Sequence, residues 1–221
     1  MNENARRSLT IEDWADAALD AIAEGGLDAV AVERLARLLS VTKGSFYWHF
    51  PNRGALLQAA VERWERQQTN DVIARAEVEQ DGRARIDRLF RGADGSKRAG
   101  QLYLALAAAA KDPRVGSVVK RVNDRRIRFM VDCYLSMGLS ADESRQRAVL
   151  AYSVYLGTLQ LRRDAPELIP TGPDFHDYMD YISRVLIPGF TPKPSGGGGA
   201  GGKRTAGRSD SAPAEEQVMD G

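Results

Sequence analysis

Between Thr42 and Phe50 the chain places an ammonium, two hydroxyls, a phenol, an indole and an imidazole within little more than two helical turns: Thr42-Lys43-Gly44-Ser45-Phe46-Tyr47-Trp48-His49-Phe50. Phe46 and Phe50 are four apart, so they share one helical face, which points inward. Lys43, Ser45, Tyr47, Trp48 and His49 are left mostly on the other faces. Cations, hydroxyls and ring N–H donors bind phosphate oxygens and base edges. A short helix that turns so many of them outward reads as a helix entering a groove of DNA. Two blander readings stay open: Tyr47 and Trp48 as packing residues, and His49 as a surface histidine with no partner.

Such a helix has to be held by its neighbours. Leu35, Ala36 and Leu39 fall at i, i+1 and i+4, giving the segment before it an apolar inner face. Ser40 and Val41 break that rhythm. Thr42 is expected to cap the new helix through its hydroxyl, and Pro51 to stop it. Upstream, Thr10 with Asp13 three residues on predicts a capped helix running to about Glu24 and ending at Gly25-Gly26. Downstream, Asn52 or a neighbour is expected to cap a long helix from Arg53 to about Ala76.

The ordered string Val41 to Phe50, with Pro51, Asn52, Arg53, Leu56 and Leu57, resembles the N-terminal helix-turn-helix of the TetR family of bacterial transcriptional regulators. Ile22, Gly26, Leu27, Val32, Leu35 and Ala36 sit where such domains keep small or apolar residues. The resemblance covers roughly Leu9 to Val61, about a quarter of the chain. It implies an all-α fold, a three-helix DNA-binding head followed by a larger helical bundle. In it Lys43 resembles the position that reaches a base edge or phosphate, and Gly44 lets the backbone approach the duplex. Tyr47 and His49 look like the phosphate-bonding pair, and Trp48 like the residue facing the groove floor. Arg53, at a helix N-terminus, and Thr42 match phosphate-contacting positions. Lys43, Ser45 and Trp48 are then the candidates for sequence readout. Two positions depart from the pattern. Ala31 stands where a Thr or Ser caps the second helix, a loss of ~1 kcal/mol. Ser40 stands where the turn often has Gly, so a residue with a Cβ is expected in a left-handed conformation at a cost of ~1 kcal/mol.

The 221 residues carry 28% charged side chains at a net charge of +1, so bulk charge does not announce a nucleic-acid binder. Local charge says more. Arg34, Arg37, Lys43 and Arg53 fall in a stretch with no acidic residue, whereas the first helix carries Glu12, Asp13, Asp16, Asp20 and Glu24. The positive patch sits on the reading head, and the acidic face must point elsewhere. Cys133 is the sole cysteine, and with only His49 and His176 beside it no zinc site, metal or other cofactor is expected. No apolar run approaches the ~18–20 residues that cross a bilayer. The polar N-terminus does not read as a signal peptide, so a bacterial cytoplasmic protein is expected. No catalytic constellation is legible, and the chain is not expected to be an enzyme.

The domains expected are a helix-turn-helix head at 1–53, a helical ligand-binding and dimerisation domain at 54–190, and a disordered Gly/Pro-rich tail at 191–221. Within the second, helices are expected over 82–91, 101–110, 112–137, 140–163 (Ser140 and Glu143 forming a capping box) and 174–186, with a loop at 92–98. In the tail, Lys203, Arg204 and Arg208 could touch DNA non-specifically, against the simpler reading of a solvated segment.

The family's second domain dimerises and often encloses a small molecule. Candidates to line such a cavity are Trp64, Phe90, Tyr103, Leu106, Phe129, Cys133, Tyr134, Tyr152 and Tyr155, against the alternative that each is plain core. Candidates for the dimer face are Ala148, Ala151, Tyr155, Thr158, Leu159 and Arg162 on one helix, with Gly157 allowing close approach, and Tyr178, Tyr181, Ile182 and Val185 on the last. Both stripes could instead close one subunit's core. The function expected is a homodimeric, ligand-responsive repressor that binds a palindromic operator in double-stranded DNA and a small-molecule effector, with no membrane partner. The alternatives are a DNA-binding regulator controlled by a protein partner and a helical small-molecule carrier that does not bind DNA.

Overall fold

A computed structural model of the chain describes residues 9–92 and 97–191. The expected tail lies outside these residues beyond Thr191, together with Lys203, Arg204 and Arg208. Among the described residues the regular elements are helical, and no strand is present.

The head consists of α1 (Ile11–Gly25), α2 (Val32–Leu38) and α3 (Lys43–His49). Thr10 opens α1 with the expected capping box: its Oγ1 accepts from the Asp13 N–H, and the Asp13 carboxylate accepts from the Thr10 N–H at 2.8 Å. Such a cap is worth about 1 kcal/mol. Trp14, Phe46 and Phe50 meet in the head's centre, with the Trp14 and Phe46 rings edge-to-face at 5.4 Å and Phe46 stacked on Phe50 at 5.6 Å. All three are buried. Burying each ring removes apolar area worth about 2 kcal/mol, and this is what fixes the outward face of α3.

The turn between α2 and α3 is made by Ser40, whose φ of 56° is the left-handed conformation expected there. Ala31 precedes α2 without a side-chain cap, also as expected. Thr42 differs from expectation. It is the residue before α3 in an extended conformation, but its hydroxyl makes no capping bond, and the main chain closes the turn through Ser45 N–H to Thr42 C=O at 3.0 Å.

Asn52 caps α4 (Arg53–Glu65) by accepting from the Ala55 N–H at 3.0 Å. The single helix expected to Ala76 is instead interrupted. Residues Arg66–Asn70 wind as a π-helical turn before α5 (Asp71–Glu77) continues. There follow α6 (Gly82–Gly92), α7 (Lys97–Ala108), α8 (Pro113–Ser136), α9 (Ala141–Asp164) and α10 (Pro173–Leu186). The loop was expected at 92–98, but α6 reaches Gly92 and α7 begins at Lys97, and residues 93–96 lie outside the described residues. Asp112 caps α8 with Pro113 in its first turn, and Gly138 ends the following turn at φ 88°. Ser140 caps α9, but only half of the expected capping box forms: the Glu143 carboxylate accepts from Arg147 at 2.9 Å, one helical turn on.

Two cores result. One joins the head to α4, α7 and the first half of α8, from Trp14 and Phe46 through Leu57 and Trp64 to Leu106 and Val118. The other joins α5, α6, the second half of α8, α9 and α10 around Ile86, Met130, Tyr134 and Tyr152. Tyr155 and Leu156 of α9 pack against both. The acidic face of α1 has a structural use: Asp16 pairs with Arg63 of α4, Asp20 with Arg98 of α7 and Glu24 with Arg34 of α2.

Candidate nucleic-acid interface and interior cavity

With Phe46 fully buried as its anchor, α3 presents Lys43, Gly44, Tyr47 and Trp48 to solvent, with Ser45 and His49 half-exposed. Trp48 is 89% exposed, and Tyr47 57%, its ring still resting edge-on against Phe46 at 5.1 Å. An indole so exposed contributes almost nothing to the fold, so packing does not account for Trp48. The packing alternative holds in part for Tyr47. Thr42 is exposed beside them, and Gly44 adds no side chain to the surface.

Charge on this face is modulated from α2. The Lys43 ammonium is ion-paired with the Glu33 carboxylate, which lowers the Glu33 pKa and raises that of Lys43, chiefly through their shared hydrogen bond. Glu33 lies one residue before the basic stretch, which is why a count from Arg34 onward misses it. Arg37 is exposed on the same helix.

Arg53 is placed differently from the other candidates. Its Nε donates to the Val30 carbonyl at 2.7 Å and its Nη2 to the Leu27 carbonyl. These carbonyls belong to the short 3-10 turn Leu27–Ala29 and the residue after it. The side chain thus ties the start of α4 to the connection between α1 and α2, which spacing alone could not reveal.

In the helical part a cavity opens at the seam of the two cores, with about 120 Å³ accessible to the centres of water-sized spheres. A single water needs at least ~10–15 Å³, so the cavity has room for several waters or a small organic molecule. Phe90, Phe129, Tyr152 and Tyr155 line it, together with Ile73, Gly100, Met130 and Leu159. Five of the expected lining residues do not. Trp64, Tyr103 and Leu106 belong to the core that continues into the head, and Cys133 and Tyr134 to the other core. Tyr134 is held by its hydroxyl donating to the Leu186 carbonyl at 3.0 Å, and burial pushes its pKa up to about 12. Burial likewise pushes the Cys133 thiol up to about 12.

Sequence reasoning missed three lining residues that carry polar chemistry: Gln68, Thr69 and Arg126. The Arg126 Nη2 donates to the Gln68 carbonyl at 2.8 Å and its Nε to Thr69 Oγ1 at 3.1 Å, both in the π-helical turn. A tract that interrupts a regular helix is a signal, but the sequence does not announce the interruption. The Tyr103 and Tyr152 hydroxyls both donate to Asn123 Oδ1, at 3.2 and 2.7 Å, and burial raises the Tyr152 pKa.

The residues expected at a dimer face divide. Ala148 and Ala151 are fully buried, Leu159 and Ile182 nearly so, and all four lie inside the subunit. On α9 the core takes the stripe that includes the alanines, because small side chains let α8 approach closely. A different stripe faces outward: Leu150 is 54% exposed and Leu161 42%, with Gly157 between them. On α10 Tyr181 and Val185 are exposed, and Tyr178 is half-buried. Tyr155, Thr158 and Arg162 are half-buried; the Thr158 hydroxyl donates to the Val154 carbonyl, and Arg162 lies over the Phe175 ring at 4.1 Å.

Among the described residues no group of three or more His, Cys, Asp or Glu side chains is placed to hold a metal ion, and no helix is long and apolar enough to cross a membrane.

Residues 15–60 match the family model of bacterial regulatory proteins of the tetR family. Over 122 residues the chain is 30% identical to the class A tetracycline repressor of Escherichia coli, a match over 55% of this chain that spans about half that repressor's length (54%). A transcriptional regulator of Rhodococcus sp. Rha1 has a similar fold, with a TM-score of 0.66 at 19% identity over 83% of this chain and 100% of that one. A Saccharomonospora viridis protein solved in complex with choline gives 0.65 at 15% identity over 78% of this chain and 92% of its own.

Proposed function

The head of this chain belongs to the TetR family of bacterial regulatory proteins, and from that premise we propose that the protein is a ligand-responsive transcriptional repressor that binds a near-palindromic operator as a homodimer. The observation that carries the reading is Trp48: a large ring 89% exposed on a helix whose opposite face is locked into a core by Phe46. A binding surface explains that exposure and stability does not. Thr42, Tyr47 and His49 supply hydrogen bonds to phosphates beside it, and Lys43 and Ser45 join Trp48 at the base edges. Two copies of α3 enter successive major grooves ~34 Å apart.

Dimerisation runs through the outward stripes, Leu150, Gly157 and Leu161 of α9 with Tyr181 and Val185 of α10. An isologous contact of these stripes buries apolar side chains that one subunit leaves in water. The effector occupies the cavity. Its wall includes Gln68 and Thr69, in the turn that follows α4, and α4 begins at Arg53, which is clamped to the head. An effector that binds the non-DNA-binding arrangement better shifts α4 and with it the spacing of the two recognition helices. Nothing in this reading calls for catalysis.

The test is selection of genomic DNA fragments by the purified full chain. Enrichment of a short inverted repeat bound by two chains supports the reading. Fragments enriched without sequence in common would overturn it.

A further inference from the structure

Among the described residues, the cavity lining holds a cation with no counter-ion. Arg126 is the one charged side chain among the described residues that line it. Its guanidinium lies against three rings, Trp64, Tyr103 and Tyr155, with centroids 6.0, 5.7 and 6.0 Å away. Nε and Nη2 are satisfied by neutral oxygens in the π-helical turn. Nη1 is buried and has no hydrogen-bond partner, and the neutral Tyr152 hydroxyl, whose pKa burial raises and the guanidinium lowers to a lesser extent, is a nearby polar group on the cavity wall. A guanidinium offers five donors in a rigid fork that matches a carboxylate, and a buried charge is costly unless paired. Rings and two neutral oxygens offset part of that cost and leave one edge of the fork unmet.

We propose that the cavity takes a small amphipathic carboxylate, its anionic group on the Nη1 edge of Arg126 and its apolar body against Phe90, Phe129 and Leu159. The assignment rests on reading the cavity as the effector site. A single cation with one open edge suits a monoanion; a phosphate dianion calls for more positive charge than the described lining supplies. Arg126 already fills the space between the rings, so a cationic ligand meets a like charge there. The placement also supplies a route to the head. A carboxylate that engages both Nη groups shares Nη2 with the Gln68 carbonyl, so occupancy weakens the bond that fastens α8 to the π-helical turn below α4.

The experiment is calorimetric titration of the full chain, without DNA, with 4-phenylbutyrate and with the alcohol and amine of the same skeleton. The expected result is an acid that binds about tenfold more tightly than the alcohol, with the amine weakest. In Arg126→Met that preference collapses while the alcohol still binds; in Arg126→Lys, which keeps the charge and loses the fork, part of it remains. Should Arg126→Met fail to fold, the ranking on the unaltered chain decides alone. Equal binding of the three, an amine or alcohol ranked first, or no binding of the acid at millimolar concentration overturns the assignment. A protein that ranks the three as expected but selects no operator overturns the regulator reading and leaves the carboxylate site standing. One that selects an operator yet ranks the acid last overturns the carboxylate site alone.

Discussion

Lys43, the first residue of the recognition helix, is ion-paired with Glu33 on the helix before it. Both side chains are more than half exposed, so the pair contributes little to the fold, and its consequence lies in binding. A phosphate or base edge has to take the ammonium from Glu33 or share it. Glu33→Gln is therefore expected to raise DNA affinity a few-fold at low salt, with the gain shrinking as salt rises. Titration of a labelled operator at several salt concentrations measures this. An affinity lowered by Glu33→Gln would mean that the carboxylate positions Lys43 rather than competing for it.

Arg53 works on the fold. Two of its nitrogens are committed to the Leu27 and Val30 carbonyls, so Arg53→Met leaves both carbonyls short of a charged donor. A loss of about 2 kcal/mol is expected. That lowers the thermal midpoint by about 4–8 °C for a chain of this size. Where the variant is folded, its DNA affinity should keep the same dependence on salt. A slope smaller by about one in log–log form would restore Arg53 to the phosphate contacts.

The cap of α8 is sensitive to acid. The Arg114 guanidinium holds the Asp112 carboxyl at about 2, below its ordinary 3.8. A carboxyl with a lowered folded-state pKa contributes stability above the unfolded value and loses it as pH falls through the folded one. Asp112→Ala should then cost about 1 kcal/mol at neutral pH, and the gap from the unaltered chain should close as pH drops from 3.8 toward about 2. Thermal melts of both proteins across that range decide it. A gap that persists at the acid end would show that the charge is not what caps the helix.

How much of this was legible in the sequence follows from how far apart the interacting groups lie along the chain. Thr10 with Asp13, Asn52 with Ala55, and Phe46 with Phe50 act over three or four residues, and their patterns were readable directly. The left-handed Ser40 was readable from the resemblance, which places it where the turn often has Gly. The carbonyl partners of Arg53 sit 23 and 26 residues upstream, beyond the reach of any local pattern. The π-helical turn was invisible because Arg126, 58 residues from Gln68, is among the groups that hold it. The alanines of α9 were assigned to an interface because two stripes of that helix are apolar or small, and only the packing of α8 against one of them decides which is covered.

The tyrosine hydroxyl of the recognition helix can be separated from its ring. Tyr47→Ala removes an edge-on contact with Phe46 as well as the phenol, whereas Tyr47→Phe removes the hydroxyl alone. Tyr47→Phe is expected to leave the melt unchanged and weaken operator binding by about tenfold, the worth of one hydrogen bond to a phosphate. Equal affinity of Tyr47→Phe and the unaltered chain would return Tyr47 to a packing role.

Whether the outer face of α3 reads DNA is decided by Trp48→Ala. The measurement is the affinity of the unaltered and variant chains for the selected inverted repeat and for a scrambled duplex, with melts of both proteins. The melts are expected to coincide and the preference for the repeat to fall by about tenfold or more, while binding to the scrambled duplex barely changes. Coinciding melts with the preference intact would contradict it, and an indole that is 89% exposed would then have no part in reading sequence.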